Sequence, residues 1–167
     1  MKYLLDTNVC IYLMKGETDI LKRYIAKRDS GIGISSITVA ELYYGVFSSD
    51  RPDRNGTNLA NFLVGPEILE FGSAAAFEYG RIRAFLRKKG TTISQTDMMI
   101  AAHAKSGNLI LVTNNVSEFE RIDGLRLETW LTKAAGNAAY LNKLDRATEQ
   151  LSHGEGNAHE LIEVDDL

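Results

Sequence analysis

The chain is punctuated by short apolar runs that stop abruptly on polar side chains. Tyr3-Leu4-Leu5 ends at Asp6, and Leu109 to Val112 ends at Thr113-Asn114-Asn115. Such runs are too short for core helices and suit strands buried on both faces. "GIGISS", "EILEF" and "GLRLETW" supply further strands. Between the strands lie stretches with helical spacing. Residues Asn8 to Met14 form one. "DILKRYIAKRD" places Ile20, Leu21, Tyr24 and Ile25 on its apolar side. "ITVAELYYGVF" is a helix that Ser35 or Ser36 can cap, "SAAAFEYGRIRAFLRKKG" a long helix stopped by Gly90, and "DMMIAAHAK" another. "SSDRPDRNGT" is rich in turn formers and reads as a loop, with a helix after it through Phe62. This alternation predicts an α/β fold: a three-layer sandwich in which helices flank a central, mainly parallel sheet with right-handed crossovers.

Charge and composition narrow the function classes. No apolar run approaches the roughly 18 residues of a membrane helix, and Asp6 interrupts the first apolar run too early for a signal peptide. A cytoplasmic protein is expected, with no membrane partner. The single cysteine, Cys10, excludes an internal disulfide framework and a cysteine-rich zinc site, and is expected in the core. Net charge is −3, unevenly spread: residues 1–132 carry +1 and residues 133–167 carry −4. That asymmetry predicts two units, a domain over 1–132 and a C-terminal appendix over 133–167.

In open α/β sheets, sites form beyond the carboxyl ends of the strands. The first strand delivers Asp6-Thr7-Asn8 to that edge and the fourth delivers Thr113-Asn114-Asn115. Glu41 lies a turn inside the helix after the second strand, flanked by the apolar Val39, Ala40, Leu42 and Tyr43. Asp97 opens a helix shortly before the fourth strand. Each has a structural alternative: Asp6 as a helix N-cap, Asp97 as a favourable charge at a helix N-terminus, Glu41 as a solvated residue. If the three carboxylates converge, they repel one another and a bound cation relieves the repulsion. Oxygen donors without cysteine or paired histidines favour Mg²⁺, with Mn²⁺ as the alternative. His103 falls on a different helix face from Asp97, and His153 and His159 lie in the appendix.

"LLDTNVCIYLMKG", "ISSITVAELYYGV" and "ISQTDMMIAAHAKSGNLILVTNNVSEFERIDGLRLETW" together resemble the PIN-domain ribonucleases, specifically the VapC toxins of toxin–antitoxin modules. The resemblance implies a metal-dependent endoribonuclease with Asp6, Glu41 and Asp97 as catalytic carboxylates and metal ligands. Asn115 stands at the family's fourth acidic position, where many relatives have Asp. Asn8, Thr113 and Asn114 would support the carboxylates or contact substrate. Structured RNA is the implied substrate, with tRNA, and initiator tRNA in particular, foremost. A homodimer and a cognate antitoxin are the implied partners. The loss of one charge at Asn115 motivates an alternative, a non-catalytic RNA-binding or regulatory domain. Basic stretches at Lys22, Arg23, Lys27, Arg28 and at Arg81, Arg83, Arg87, Lys88, Lys89 offer contacts for RNA phosphates.

The toxin-like pattern is complete near Trp130. Beyond it, "NAAYLNKLDRATEQLSHGEGNAHELIEVDDL" is similar to the toxin-binding tail of Phd/YefM-type antitoxins. The resemblance implies a fused neutralising segment. Tyr140, Leu141, Leu144 and Leu151 would meet the catalytic domain, and Arg146 would reach the carboxylates. The alternative is an additional helix with a disordered tail.

Overall fold

The structure, a computed structural model, describes residues 1–131. The expected boundary at 132/133 and the contacts expected of Tyr140, Leu141, Leu144, Arg146 and Leu151 lie outside the described residues. Five strands form one sheet: β1 (Tyr3–Leu5), β2 (Ile32–Ser35), β3 (Glu67–Leu69), β4 (Ile110–Val112) and β5 (Arg126–Glu128). Their order is β3-β2-β1-β4-β5 and every pairing is parallel. The chain steps outward from β1 through β2 to β3, then returns to the other side of β1 with β4. That reversal opens a crevice between the carboxyl ends of β1 and β4.

Parallel strands need long crossovers, and here they are helical. α1 (Thr7–Met14), α2 (Thr18–Lys27), α3 (Ser36–Phe47) and α4 (Pro52–Leu63) connect β1, β2 and β3. α5 (Ser73–Lys89) and α6 (Gln95–Ser106) join β3 to β4, and the short α7 (Val116–Phe119) lies between β4 and β5. Side chains alternate across β1. Tyr3 and Leu5 enter the core beneath α1–α4, together with Cys10, Ile20, Leu42 and Trp130. Leu4 enters the second core beneath α5–α7, with Ile82, Leu86, Ile100 and Phe119. The inner strands β1, β2 and β4 are therefore buried on both faces, as their uninterrupted apolar sequence requires, whereas the edge strands β3 and β5 are exposed or half-buried.

Local chemistry sets most boundaries. Ser35 caps α3 by accepting a hydrogen bond from Ile37 N, whereas the Ser36 hydroxyl accepts one from Phe71 N. Gly90 adopts the left-handed conformation that ends α5, at φ 68°. Gly33 lets β2 and β3 approach closely: a Cβ there would stand 3.1 Å from Glu67 O and from the Leu69 side chain.

Two expectations are corrected. Residues 48–57 are not a continuous loop, because α4 begins at Pro52. Proline suits the first helical turn. Asn55, expected as a turn former, is buried and donates to Ser49 Oγ at 2.9 Å, while Thr57 Oγ1 donates to Asp53 O at 3.0 Å. The second correction concerns α2. Ile20 is buried and Tyr24 half-buried, but Leu21 and Ile25 are 40% and 64% exposed. The apolar arc of α2 is wider than the face its own core covers.

Leu4 is fully enclosed at the centre of the sheet. Leu4→Ala should cost about 2–5 kcal/mol, the range for truncating a buried leucine. Denaturant unfolding checks this, with the midpoint falling and the m-value unchanged.

Candidate active site

The crevice between β1 and β4 is filled by polar groups from both strand ends. Asp6, the residue after β1, is only 3% exposed. Its Oδ1 accepts from Thr7 N at 2.8 Å, so it caps α1. Its Oδ2 accepts from Thr113 Oγ1 at 2.6 Å and from Asn8 Nδ2 at 2.9 Å. Thr113 in turn accepts from Asn115 N at 3.0 Å, and Asn8 Oδ1 accepts from Asn114 N at 3.3 Å. The N-cap alternative for Asp6 is thus realised, but it uses only one carboxylate oxygen. Thr113 and Asn8 hold the other.

Glu41, half-buried on α3, accepts a short hydrogen bond from Thr7 Oγ1. Asp97 sits in the first turn of α6. Ser94 Oγ accepts from Asp97 N at 3.0 Å and donates to Asp97 Oδ2 at 2.7 Å, a reciprocal cap that fixes the carboxylate. The charges of Asp97 and Glu41 both act on Asp6, so the three carboxylates face one another. Burial, reinforced by Asp97 and Glu41, pushes the Asp6 carboxyl up to about 7 despite the opposing hydrogen bond from Thr113. Asp97 is also raised, first by burial and then by the charges of Glu118 and Glu41.

Glu118 on α7 was not anticipated from sequence. Its carboxyl lies beside that of Asp97 and adds a fourth acid to the group. The available signal was spacing: Glu118 follows Asn115 by three residues, so a short helix after β4 turns both toward one side. Asn115 is the N-cap position of α7 and its backbone N–H supports Thr113. Asn114 contributes its backbone N–H to Asn8, but its side chain turns away, with Oδ1 accepting from Thr129 Oγ1 at 3.3 Å. His103 lies outside the group. It is buried against Ser35 Oγ at 2.9 Å and against the edge of Phe71.

The described ion pairs join Lys27 to Glu128, and Arg81 and Lys105 to Glu78; none involves Asp6, Glu41 or Asp97. Among the described residues, no three Asp, Glu, His or Cys side chains close tightly enough to enclose a metal by themselves. Glu41 and Asp97 instead lean on the neighbouring hydroxyls of Thr7 and Ser94. This donor set fits a hard cation of the Mg²⁺ type. Such an ion takes one or two carboxylates and keeps water for its other positions. It also supplies the positive charge that these clustered carboxylates lack.

Comparison with known proteins agrees with this geometry. Residues 3–125 match the model of the PIN domain. The tRNA(fMet)-specific endonuclease VapC of Salmonella typhimurium is 43% identical over 130 residues, covering 78% of this chain and 98% of the relative. Ribonuclease VapC2 of Haemophilus influenzae is 46% identical over 133 residues, covering 78% and 99%. Among solved structures, DNA-bound VapBC2 from Rickettsia felis superposes with a TM-score of 0.76 at 41% identity, covering 78% of this chain and 100% of that one. DNA-bound VapBC from Salmonella typhimurium gives 0.75 at 44%, covering 78% and 99%. With four carboxylates gathered at the β1/β4 crevice of a parallel sheet, the chain belongs to the PIN-domain family, as a VapC-type ribonuclease of toxin–antitoxin modules.

Proposed function

We propose that this chain is the toxin of its module and hydrolyses phosphodiester bonds of structured RNA with Mg²⁺, Asp6 and Asp97 being the principal ligands. The observation that carries this reading is the buried Asp6 carboxylate, which has no cationic partner among the described residues, is held by Thr113 and Asn8 and feels the charges of Asp97 and Glu41. When bound, Mg²⁺ would shield phosphate charge and make a coordinated water more acidic. The protein's own groups do the rest. Thr113 Oγ1 and Asn8 Nδ2 fix the orientation of Asp6 Oδ2. Ser94 fixes Asp97. Thr7 Oγ1 holds one oxygen of Glu41, leaving the other to orient the attacking water and accept its proton. The Asn115 side chain would donate to the scissile phosphate. Glu118 supplies a negative charge beside Asp97, which weakens the case that Asn115 makes the site non-catalytic.

A tRNA substrate, initiator tRNA foremost, is supported by the named specificity of the Salmonella relative. A cognate antitoxin is the expected protein partner, since the solved neighbours are VapBC complexes. An isologous homodimer completes the reading. α3 exposes Tyr44 and Phe47, 75% and 77% accessible, with Tyr43 stacked on Phe47 at 6.1 Å. Among the described residues, no helix is long and apolar enough to cross a membrane, in keeping with a cytoplasmic site of action.

Asp6→Asn and Asp97→Asn should each reduce RNA cleavage to below about 1% of the parent rate, because ligand loss exceeds the 10–100-fold typical of supporting residues. Glu118→Gln should fall within that supporting range. Gel analysis of initiator tRNA with added Mg²⁺, with and without EDTA, reads both effects. Undiminished cleavage by the two Asp variants would refute the assignment.

The raised Asp6 carboxyl also has a stability signature. The folded chain holds this proton more tightly than the unfolded chain does, so stability is greatest below pH 4 for this group. It is lost as pH rises through about 7. Metal-free parent protein should therefore lose stability between about pH 4 and 7 relative to Asp6→Asn, and added Mg²⁺ should recover it at pH 8. Urea unfolding across that window tests the sign; parallel pH profiles for the two proteins would exclude it.

A further inference from the structure

The exposed apolar face of α2 is not explained by the catalytic domain. Leu21 and Ile25 stand one turn apart on its outer side, 40% and 64% exposed. Val64, 87% exposed at the end of α4, belongs to the same region. The Tyr24 hydroxyl lies 3.2 Å from where a Cβ on the adjoining Gly65 would stand. Exposed Lys22, Arg23 and Arg28 surround this apolar strip.

The chain leaves the described domain near the C-terminal end of α2. Glu128, at the end of β5, pairs with Lys27 at 3.0 Å, and Leu131 packs on the core shared by α1–α4. Residues 132–139 span up to about 30 Å when extended. Leu21 lies only six positions before Lys27, about 9 Å along a helix. The segment that follows places Tyr140, Leu141, Leu144 and Leu151 at helical spacing, and residues 133–167 carry a net charge of −4. The curated relatives are matched over 98–99% of their own length and cover 78% of this chain, while the family match ends at residue 125. The surplus is therefore C-terminal and has no counterpart in those relatives.

We propose that residues 140–167 dock back onto α2 of the same chain. Their apolar residues cover Leu21, Ile25 and Val64, and their acidic residues meet Lys22, Arg23 and Arg28. The occupant follows from three matches: reach, apolar spacing and opposite charge. This goes beyond the ribonuclease reading and is tested without RNA, so the two stand or fall separately.

The test is limited trypsin digestion of the full chain, with mass spectrometry of cleavage after Lys143 and Arg146. Docking should shield these bonds. Leu144→Asp and Ile25→Glu should each accelerate their cleavage about tenfold or more, as expected from losing one apolar contact. Tyr44→Ala combined with Phe47→Ala, on α3, should leave the rate unchanged. Leu144→Asp leaves the catalytic domain intact, so the experiment does not depend on the surface variant. Equal cleavage rates in the parent and Leu144→Asp would overturn the proposal. So would an ineffective Ile25→Glu, loss of shielding in the α3 variant, or shielding that disappears on dilution, which would assign the segment to a second copy.

Discussion

The buried carboxylate of Asp6 is the contact on which the site's arrangement depends. It stands where β1 ends, next to the strand that the chain reaches only after two further strands and six α-helices. Its three hydrogen bonds tie α1 to the end of β4 through Thr7, Asn8 and Thr113. A carboxylate in such a place is expensive when ionised, because burial and two neighbouring acids oppose its charge. The hydrogen bonds offset part of that cost and aim the oxygens. A divalent cation bound beside it would offset more.

Topology brings the other acids to it. The order β3-β2-β1-β4-β5 places the reversal between β1 and β4, and the helices after β2 and before β4 enter the same edge. Glu41 comes from α3, Asp97 from the start of α6 and Glu118 from α7. Each is held by a local hydroxyl or by another acid rather than by a lysine or arginine. Among the described residues, the absence of ion pairing at Asp6, Glu41 and Asp97 distinguishes this group from Glu78, whose carboxylate is paired with Lys105 at 2.9 Å and Arg81 at 3.3 Å. Both are gatherings of charge near the core. Glu78 and its two cations make a closed structural pair, whereas the crevice acids retain capacity for a ligand.

The α2 surface shows how little of a helical apolar arc the core can cover. Ile20 and Tyr24 meet the catalytic core, and Leu21 and Ile25 point away from it. A helical wheel shows these four residues as one broad arc and does not say where the core stops. The same limitation explains α4. Its first residues are Pro, Asp, Arg, Asn and Gly, four of them turn formers by composition, yet proline fits a helix start and the buried Asn55 gains a partner in Ser49.

Tyr3-Leu4-Leu5 before Asp6, and Leu109 to Val112 before Thr113, were enough to identify two buried parallel strands with polar ends. Family resemblance added the roles of Asp6, Glu41 and Asp97, because these residues sit in distinctive local patterns. Glu118 escaped notice because its significance lies in facing Asp97, a relation set by the turn of α7 and absent from either local sequence. The sequence by itself determined the alternation of strands and helices, since burial on two faces demands continuous apolar runs and burial on one face demands helical spacing. Only the tertiary structure decided which acids share a crevice and which apolar residues remain uncovered, because both depend on distances between segments remote along the chain.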